Sequence, residues 1–229
     1  MKIVILTGAG ISAESGLGTF RDKGGVWTQY DMAEVATPEG FARDPGKVHD
    51  FYNARRANAL GARPNAAHEA LGRLTRAGVH DVTLVTQNID DLHERGGADR
   101  VIHMHGRLMQ ALCAACGARW DAPREMRAGD ACPVCGAGPT RPDIVWFGEI
   151  PYHMEEIADA LTGAELFVAI GTSGSVYPAA GFVAEARAQG IRTLELNLAP
   201  SDTAGAFDEV RLGPASEVVP AWVAELLEH

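Results

Sequence analysis

Residues 2–22 read Lys-Ile-Val-Ile-Leu-Thr-Gly-Ala-Gly-Ile-Ser-Ala-Glu-Ser-Gly-Leu-Gly-Thr-Phe-Arg-Asp. The uncharged aliphatic run at 3–7 has the composition of a short strand buried on both faces. Gly8-Ala9-Gly10-Ile11-Ser12-Ala13 follows at once, in the G-x-G-x-x-G/A arrangement. Its glycines let the backbone approach a pyrophosphate near a helix N-terminus. Alone it is a weak signal, because a plain tight turn after a first strand fits equally well. An ordinary dehydrogenase would also show an acidic residue closing a second strand about 20 residues on. Here a polar, glycine-rich stretch runs instead into Gly24-Gly25-Val26-Trp27, and no second strand begins there. The dehydrogenase reading weakens.

Outward from this turn, short apolar runs alternate with helical periodicity. Strands are expected at 3–7, 82–86, 166–170 and 193–197, with weaker candidates at 101–103 and 217–219. Helices are expected at 45–60, 66–77, 154–161, 179–189 and 220–227. The alternation predicts an α/β domain, a Rossmann-like parallel sheet with helices on both faces. The 229 residues suit a single domain, 1–229. Its Rossmann-like part takes about 1–30, 61–110 and 141–229, with a helical insert at about 31–60 and a small module at about 111–140. Arg141-Pro142 marks the expected return to the main sheet.

The small module holds all four cysteines: Cys113, Cys116, Cys132 and Cys135, or C-x2-C-x15-C-x2-C. Two such knuckles bring four thiolates into the tetrahedron that zinc accepts. The alternatives are two disulfides, which a reducing compartment disfavours, or a redox dithiol, which needs no second matched pair. A closed set of four thiolates leaves no open coordination position, so the zinc is expected to be structural. Zinc ribbons often bind nucleic acid, but here Arg119, Arg124 and Arg127 are offset by Asp121, Glu125 and Asp130. The net charge of −10 likewise argues against nucleic acid or anionic membrane as a general partner. Apolar residues make up 46% of the chain, enough for a core, yet no run approaches the roughly 20 residues of a membrane span. The opening apolar run is too short for a signal peptide, so a cytoplasmic location is expected.

Three more segments fall at strand ends, where open α/β sheets bind ligands: Thr86-Gln87-Asn88-Ile89-Asp90, His103-Met104-His105-Gly106 and Gly171-Thr172-Ser173. Together with the glycine-rich loop and the four-cysteine module, this ordered set resembles the sirtuins, the NAD-dependent protein-lysine deacylases, and most of all their small bacterial members. The resemblance runs from Ile3 to the C-terminal helix. It implies that NAD lies along Gly8, Ala9, Gly10, Ile11, Ser12, Ala13, Glu14, Ser15, Thr19, Phe20, Arg21 and Trp27. Gln87, Asn88, Ile89 and Asp90 would surround the nicotinamide and its ribose. Gly171, Thr172, Ser173, Asn197, Leu198, Ala199 and Ala215 would meet the adenosine half. NAD would be a consumed co-substrate: the nicotinamide–ribose bond breaks and the acyl oxygen captures the ribose C1′. A base then frees a ribose hydroxyl to attack the acyl carbon, and water completes the release of lysine and O-acyl-ADP-ribose.

Imidazole suits that base. His103 and His105, two apart in an extended segment, point the same way, and either could be a buried, hydrogen-bonded core histidine. The family pattern selects the histidine before glycine, His105. Asn88 and Asp90 read as holders of the ribose and a water, or merely as caps of the next helix. Tyr52 and Arg55, i and i+3, share a helix face, where a phenol and a guanidinium could clasp a carboxylate. Tyr-x-x-Arg occurs often on helices as a packed ring beside a solvated charge. The resemblance nevertheless places it with the sirtuins that remove succinyl and malonyl groups, and Ala36 at the position where a small residue widens the acyl pocket. Acetyl-lysine would still fit, so dual activity is expected. Arg56, about 100° around the helix, should not substitute.

Acylated protein substrates would enter as extended peptides between Val145, Phe147 and Gly148 on one side and Val176 and Tyr177 on the other. The chain is expected to act as a monomer. Two features depart from the family pattern. Met1 opens almost directly on the first strand, so a longer native N-terminus is one expectation. Gly18 stands where a proline is common, which should loosen the empty loop. Mono-ADP-ribosyltransfer, or an NAD-sensing or zinc-ribbon binding module without turnover, are the competing readings.

Overall fold

The computed structural model describes residues 1–18 and 31–228. Its strands are β1 (Lys2–Thr7), β2 (Asp81–Thr86), β3 (Val101–His103), β4 (Gly106–Cys113), β5 (Arg119–Asp121), β6 (Thr140–Ile144), β7 (Leu166–Ile170), β8 (Arg192–Asn197) and β9 (Glu209–Leu212). Six of them form a parallel sheet in the order β3-β2-β1-β7-β8-β9, and the other three a small antiparallel sheet in the order β5-β4-β6. The α-helices are α1 (Met32–Val35), α2 (Pro38–Arg43), α3 (Pro45–Gly61), α4 (Ala66–Arg76), α5 (Leu92–Arg95), α6 (Met154–Leu161), α7 (Phe182–Ala188) and α8 (Ala215–Leu227).

The apolar run of β1 is explained by two covered faces. Successive side chains alternate, and Ile3 and Ile5 enter a core with Leu71 and Leu74 of α4 and Trp222 and Val223 of α8. Val4 and Leu6 enter a second core with Ile157 and Leu161 of α6 and Val183 and Ala186 of α7. A third core joins the helical insert to the small sheet through Val35, Phe41, Val48, Phe51, Leu108 and Trp146. The long helix of the insert starts where its sequence says it should: Asp44 accepts from the Lys47 amide, and Pro45 takes the first turn, where its missing N–H costs nothing. Asn65 starts α4 in the same way, with His68 reaching back to the cap. Among the described residues no helix is long and apolar enough to cross a membrane.

The structure corrects several expectations. Residues 217–219 are not a strand but belong to α8, which begins five residues before the expected start at Pro220. Pro220 sits inside the helix, where the ring deletes one hydrogen bond, and burial of Val219, Trp222 and Val223 holds the segment helical regardless. Residues 209–212 form the edge strand β9, which lacks the apolar run of a buried strand because its side chains are largely exposed. Arg141-Pro142 lies within β6 of the small sheet, paired with β4, rather than on the main sheet. Thr19, Phe20, Arg21 and Trp27 lie outside the described residues.

Candidate active site and metal centre

From the central strand β1 the sheet grows one way through β2 and β3 and the other way through β7 and β8. That reversal opens a crevice beyond the carboxyl ends of the strands. A cavity of about 550 Å³ fills it and extends under the helical insert. Gly8, Ala9, Gly10, Ser12 and Ala13 from the loop after β1 line it, as do Gln87, Asn88, Ile89 and Asp90 after β2. Gly171, Thr172 and Ser173 follow β7, and Asn197, Leu198 and Ala199 follow β8, with Ala215 at the start of α8.

The glycines have a reason beyond room for a ligand. The Gly8 amide donates to the Ile170 carbonyl (3.0 Å) and the Gly10 amide to the Gly171 carbonyl (2.8 Å). A Cβ on Gly10 would stand 2.8 Å from the Gly171 Cα, and Gly171 itself has φ +61°. Two strand-end loops therefore meet backbone to backbone, which only glycines permit.

Behind this contact lies a buried polar network. Asn88 donates its side-chain amide to the Gly8 carbonyl (3.2 Å) and to the Ser12 hydroxyl (3.1 Å). Ser12 in turn donates to Asp90 (3.2 Å), whose other oxygen accepts from the Leu92 amide (3.1 Å). Asp90, one residue ahead of the Asp91 cap of α5, is thus both tied to the first amide of that helix and a wall of the cavity, and burial raises its carboxyl pKa. His68, not anticipated from the sequence, completes the network. Its Nδ1 accepts from the Asn65 amide (3.3 Å), which leaves its proton on Nε2, facing the Ser12 hydroxyl (3.3 Å). Burial lowers its pKa to about 4, so it is neutral. The only sequence clue is its place three residues after Asn65, as the third residue of α4.

Of the two candidate bases, only His105 lines the cavity. Its Nδ1 faces the Gln87 carbonyl (3.1 Å), so Nδ1 carries the proton and Nε2 keeps its lone pair. Burial lowers its pKa, against the opposing pull of that hydrogen bond. His103 has Nδ1 against the Asn88 carbonyl (3.2 Å) and Nε2 against Glu94 (2.8 Å), so neither nitrogen is left for chemistry. The turn between the histidines and β4 depends on Gly106, at φ +84°, where a Cβ would meet the Asp143 carbonyl at 2.1 Å.

Tyr52 and Arg55 of α3 and Ala36 after α1 form the wall on the insert side of the same cavity. Burial pushes the Tyr52 phenol up to about 12 and the Arg55 guanidinium down to about 10, so at neutral pH one is a neutral donor and the other a cation. Arg56 does turn elsewhere: it is buried against the Leu108 carbonyl (3.0 Å), Asn53 (2.8 Å) and the Arg124 carbonyl (3.3 Å). Val145, Phe147, Gly148, Val176 and Tyr177 rim the cavity. The Val145 amide donates to the His105 carbonyl and the Phe147 amide to the Ala36 carbonyl (both 2.9 Å), which ties the rim to His105 and to the insert side of the cavity alike. Among the described residues, three of those expected to meet the cofactor do not line the cavity. Ile11 is in the core, Glu14 accepts from the Ser216 amide and hydroxyl at the start of α8 (2.9 and 2.6 Å), and Ser15 accepts from Asn65 (3.0 Å). Between the rim residues Val145 and Phe147, the buried Trp146 donates its indole N–H to the Tyr52 hydroxyl (3.0 Å).

Cys113 ends β4 and Cys116 lies in the turn of residues 114–118 that leads to β5; all four cysteine sulfurs lie within 4.8 Å of one another. Cys113 and Cys135 are 3.8 Å apart, as are Cys116 and Cys132. A tetrahedron with zinc–sulfur bonds of about 2.3 Å has edges of about 3.8 Å, so these four residues are positioned to hold a metal ion of that kind. Such a closed set gives the ion a structural role.

The model of the Sir2 family matches residues 8–178. The chain belongs to the Sir2 family. An NAD-dependent protein deacylase of Caulobacter vibrioides is 62% identical to this Sir2 chain over 99% of it and 97% of the relative. A protein of the same name from Vibrio vulnificus is 53% identical over 100% of this chain and 94% of the relative. Among solved structures, a Sir2 homologue–NAD complex shares 37% identity with a TM-score of 0.88, covering 99% of this chain and 89% of the other. A Sir2 protein bound to acetylated peptide shares 26% identity with a TM-score of 0.81, covering 97% and 92%. The glycine contact and polar network of the present cavity suit NAD as the shared co-substrate of this family.

Proposed function

We propose that this Sir2 protein is an NAD-dependent protein-lysine deacylase that favours succinyl and malonyl groups and also removes acetyl. The observation that carries the reading is that one cavity holds both His105, with Nε2 as its lone-pair nitrogen, and the Tyr52–Arg55 wall beside Ala36. NAD is consumed as a substrate. His105 accepts the proton of a ribose hydroxyl at Nε2, and Nδ1 stays bonded to Gln87 so that the ring keeps its direction. Asn88 and Asp90, braced by Ser12, hold the ribose and a water. Gly8, Gly10 and the Gly171–Ser173 turn accommodate the phosphates and adenosine half, with Asn197 to Ala199 and Ala215 beyond them.

At the other end Arg55 and Tyr52 receive the acyl carboxylate through a charge-assisted hydrogen bond and a phenolic one. The protein substrate lies extended between Val145–Gly148 and Val176-Tyr177 and supplies main-chain pairing, so sequence demand is low. The chain works in the cytoplasm as a monomer, and four cysteines hold a structural zinc. Mono-ADP-ribosyltransfer would leave the acyl wall without a purpose.

The test is to incubate protein and NAD with matched acetyl-, succinyl- and malonyl-lysine peptides and measure nicotinamide and free peptide. NAD-dependent loss of all three acyl groups is expected, with the acidic ones preferred, and no loss of any would end the deacylase reading. Arg55→Met should cut desuccinylation roughly 100-fold, the scale of a lost charged hydrogen bond, and deacetylation far less. Equal losses would refute the carboxylate assignment.

A further inference from the structure

Trp146 is buried beneath the acyl wall, and its side chain has one polar atom, the indole N–H. An indole nitrogen can only donate, so in the 3.0 Å contact the Tyr52 oxygen must accept. One lone pair of Tyr52 is thereby occupied, and its own proton has to point away from Trp146. The phenol keeps that proton at any ordinary pH, since burial pushes its pKa up to about 12.

The indole is well fixed for a side chain whose one hydrogen bond goes to a phenol. Its backbone amide donates to Glu149 Oε2 (2.8 Å). The Arg141 guanidinium lies 3.4 Å from its ring centroid and is itself held by both Glu149 oxygens (2.7 and 2.8 Å) and the Ile144 carbonyl (2.6 Å). The Phe41 ring packs against it at 5.2 Å. A cation over the ring draws electron density from it and strengthens the N–H as a donor. The chain Glu149–Arg141–Trp146 thus ends by aiming a strong donor at Tyr52.

Resting on the carboxylate reading above, we infer that Trp146 is a positioning residue for acyl selectivity: it commits the Tyr52 hydroxyl to donate toward the acyl carboxylate. Without the indole N–H, the Tyr52 proton is free to rotate, and a donor facing a carboxylate becomes a rotor that spends part of its time elsewhere. An acetyl group has no carboxylate to feel the difference.

The test compares Trp146→Phe, Tyr52→Phe, the double variant and Arg55→Met on succinyl- and acetyl-lysine peptides at saturating NAD. Trp146→Phe keeps an aromatic face under Arg141 and removes the donor. It should raise KM for the succinyl peptide about five- to tenfold, the scale of one hydrogen bond, and shift it several times more than KM for the acetyl peptide, with little change in kcat. In the Tyr52→Phe background the same substitution should add almost nothing, because there is no hydroxyl left to orient. Equal KM shifts for both peptides, or an undiminished effect in that background, overturn the inference. Should Trp146→Phe lose zinc or fold poorly, replacing Trp146 by its benzothienyl isostere, with sulfur in place of N–H, gives the same two outcomes in an undisturbed shape. A selective Arg55→Met with an unselective Trp146 variant removes this inference alone. An unselective Arg55→Met removes the carboxylate reading and this inference with it.

Discussion

At His105 the tautomer and the pKa are set by different neighbours. The Gln87 carbonyl keeps the proton on Nδ1, and burial lowers the pKa below the usual 6.5. In the proposed role His105 must be neutral to act, so activity should be full above that value and fall only as the pH drops through a point below 6.5. The acid limb of kcat/KM for the acyl peptide measures this, and an inflection above 6.5 would contradict it. His105→Asn should abolish removal of every acyl group with zinc content unchanged. Alternation along an extended strand cannot separate His105 from His103, because both fall on one face. What separates them is where their ring nitrogens find partners, and Glu94, nine residues before His103, takes the nitrogen that chemistry would need. Trp146 was hidden for a similar reason, since only an atomic contact with Tyr52 distinguishes it from any core aromatic.

Elements announced themselves in proportion to how much core they share. β1 and β7 are largely apolar because both faces are covered, β2 and β8 keep apolar residues only at positions such as Leu84, Val85, Leu194 and Leu196, and α3 and α4 carry readable caps. β9 contributes little to the interior and left no pattern, and residues 217–219 look strand-like because α8 is apolar as well as helical. The strands of the small sheet escaped notice because β5 is very short, β6 carries Arg141, Pro142 and Asp143, and β4 mixes polar with apolar residues across a register shift. The β3–β4 turn shows how one element positions another. Gly106→Ala would bring a Cβ to the Asp143 carbonyl and force a positive φ on alanine, costing at least about 1–2 kcal/mol in stability. Because the residue follows His105 directly, kcat should fall by more than tenfold even where the protein remains folded. Urea unfolding and steady-state kinetics on the same sample measure both, and a variant with wild-type kcat would show that the turn does not place the base.

On the scale of the molecule, the four-cysteine module is hydrogen-bonded to α3, the helix that carries Tyr52 and Arg55 and the proposed acyl wall. Asn53 of α3 donates to the Met126 carbonyl and accepts from the Met126 amide (both 2.9 Å), and Arg56 reaches the Arg124 carbonyl from the same helix. Both partners lie between the two cysteine knuckles. Removing the metal should release that segment, since so small a module has little core of its own. A strong chelator should therefore lower the melting temperature and reduce deacylation in step with zinc loss, with desuccinylation falling further than deacetylation. Unchanged stability in metal-free protein would argue against the coupling. The four cysteines made the module legible, whereas its grip on the acyl helix was not, because Arg56 differs from Arg55 only by its angle around α3.

That angle has an evolutionary consequence. Arg55 and Arg56 are chain neighbours that serve opposite compartments, one the cavity and the other the metal module. Inserting or deleting a single residue in α3 ahead of them would turn the downstream helix by about 100° and carry both arginines off their targets together. A substitution can change one contact and spare the other whereas an indel disturbs both at once, so the proposed acyl preference is more readily altered by exchange of side chains than by a change in the length of α3.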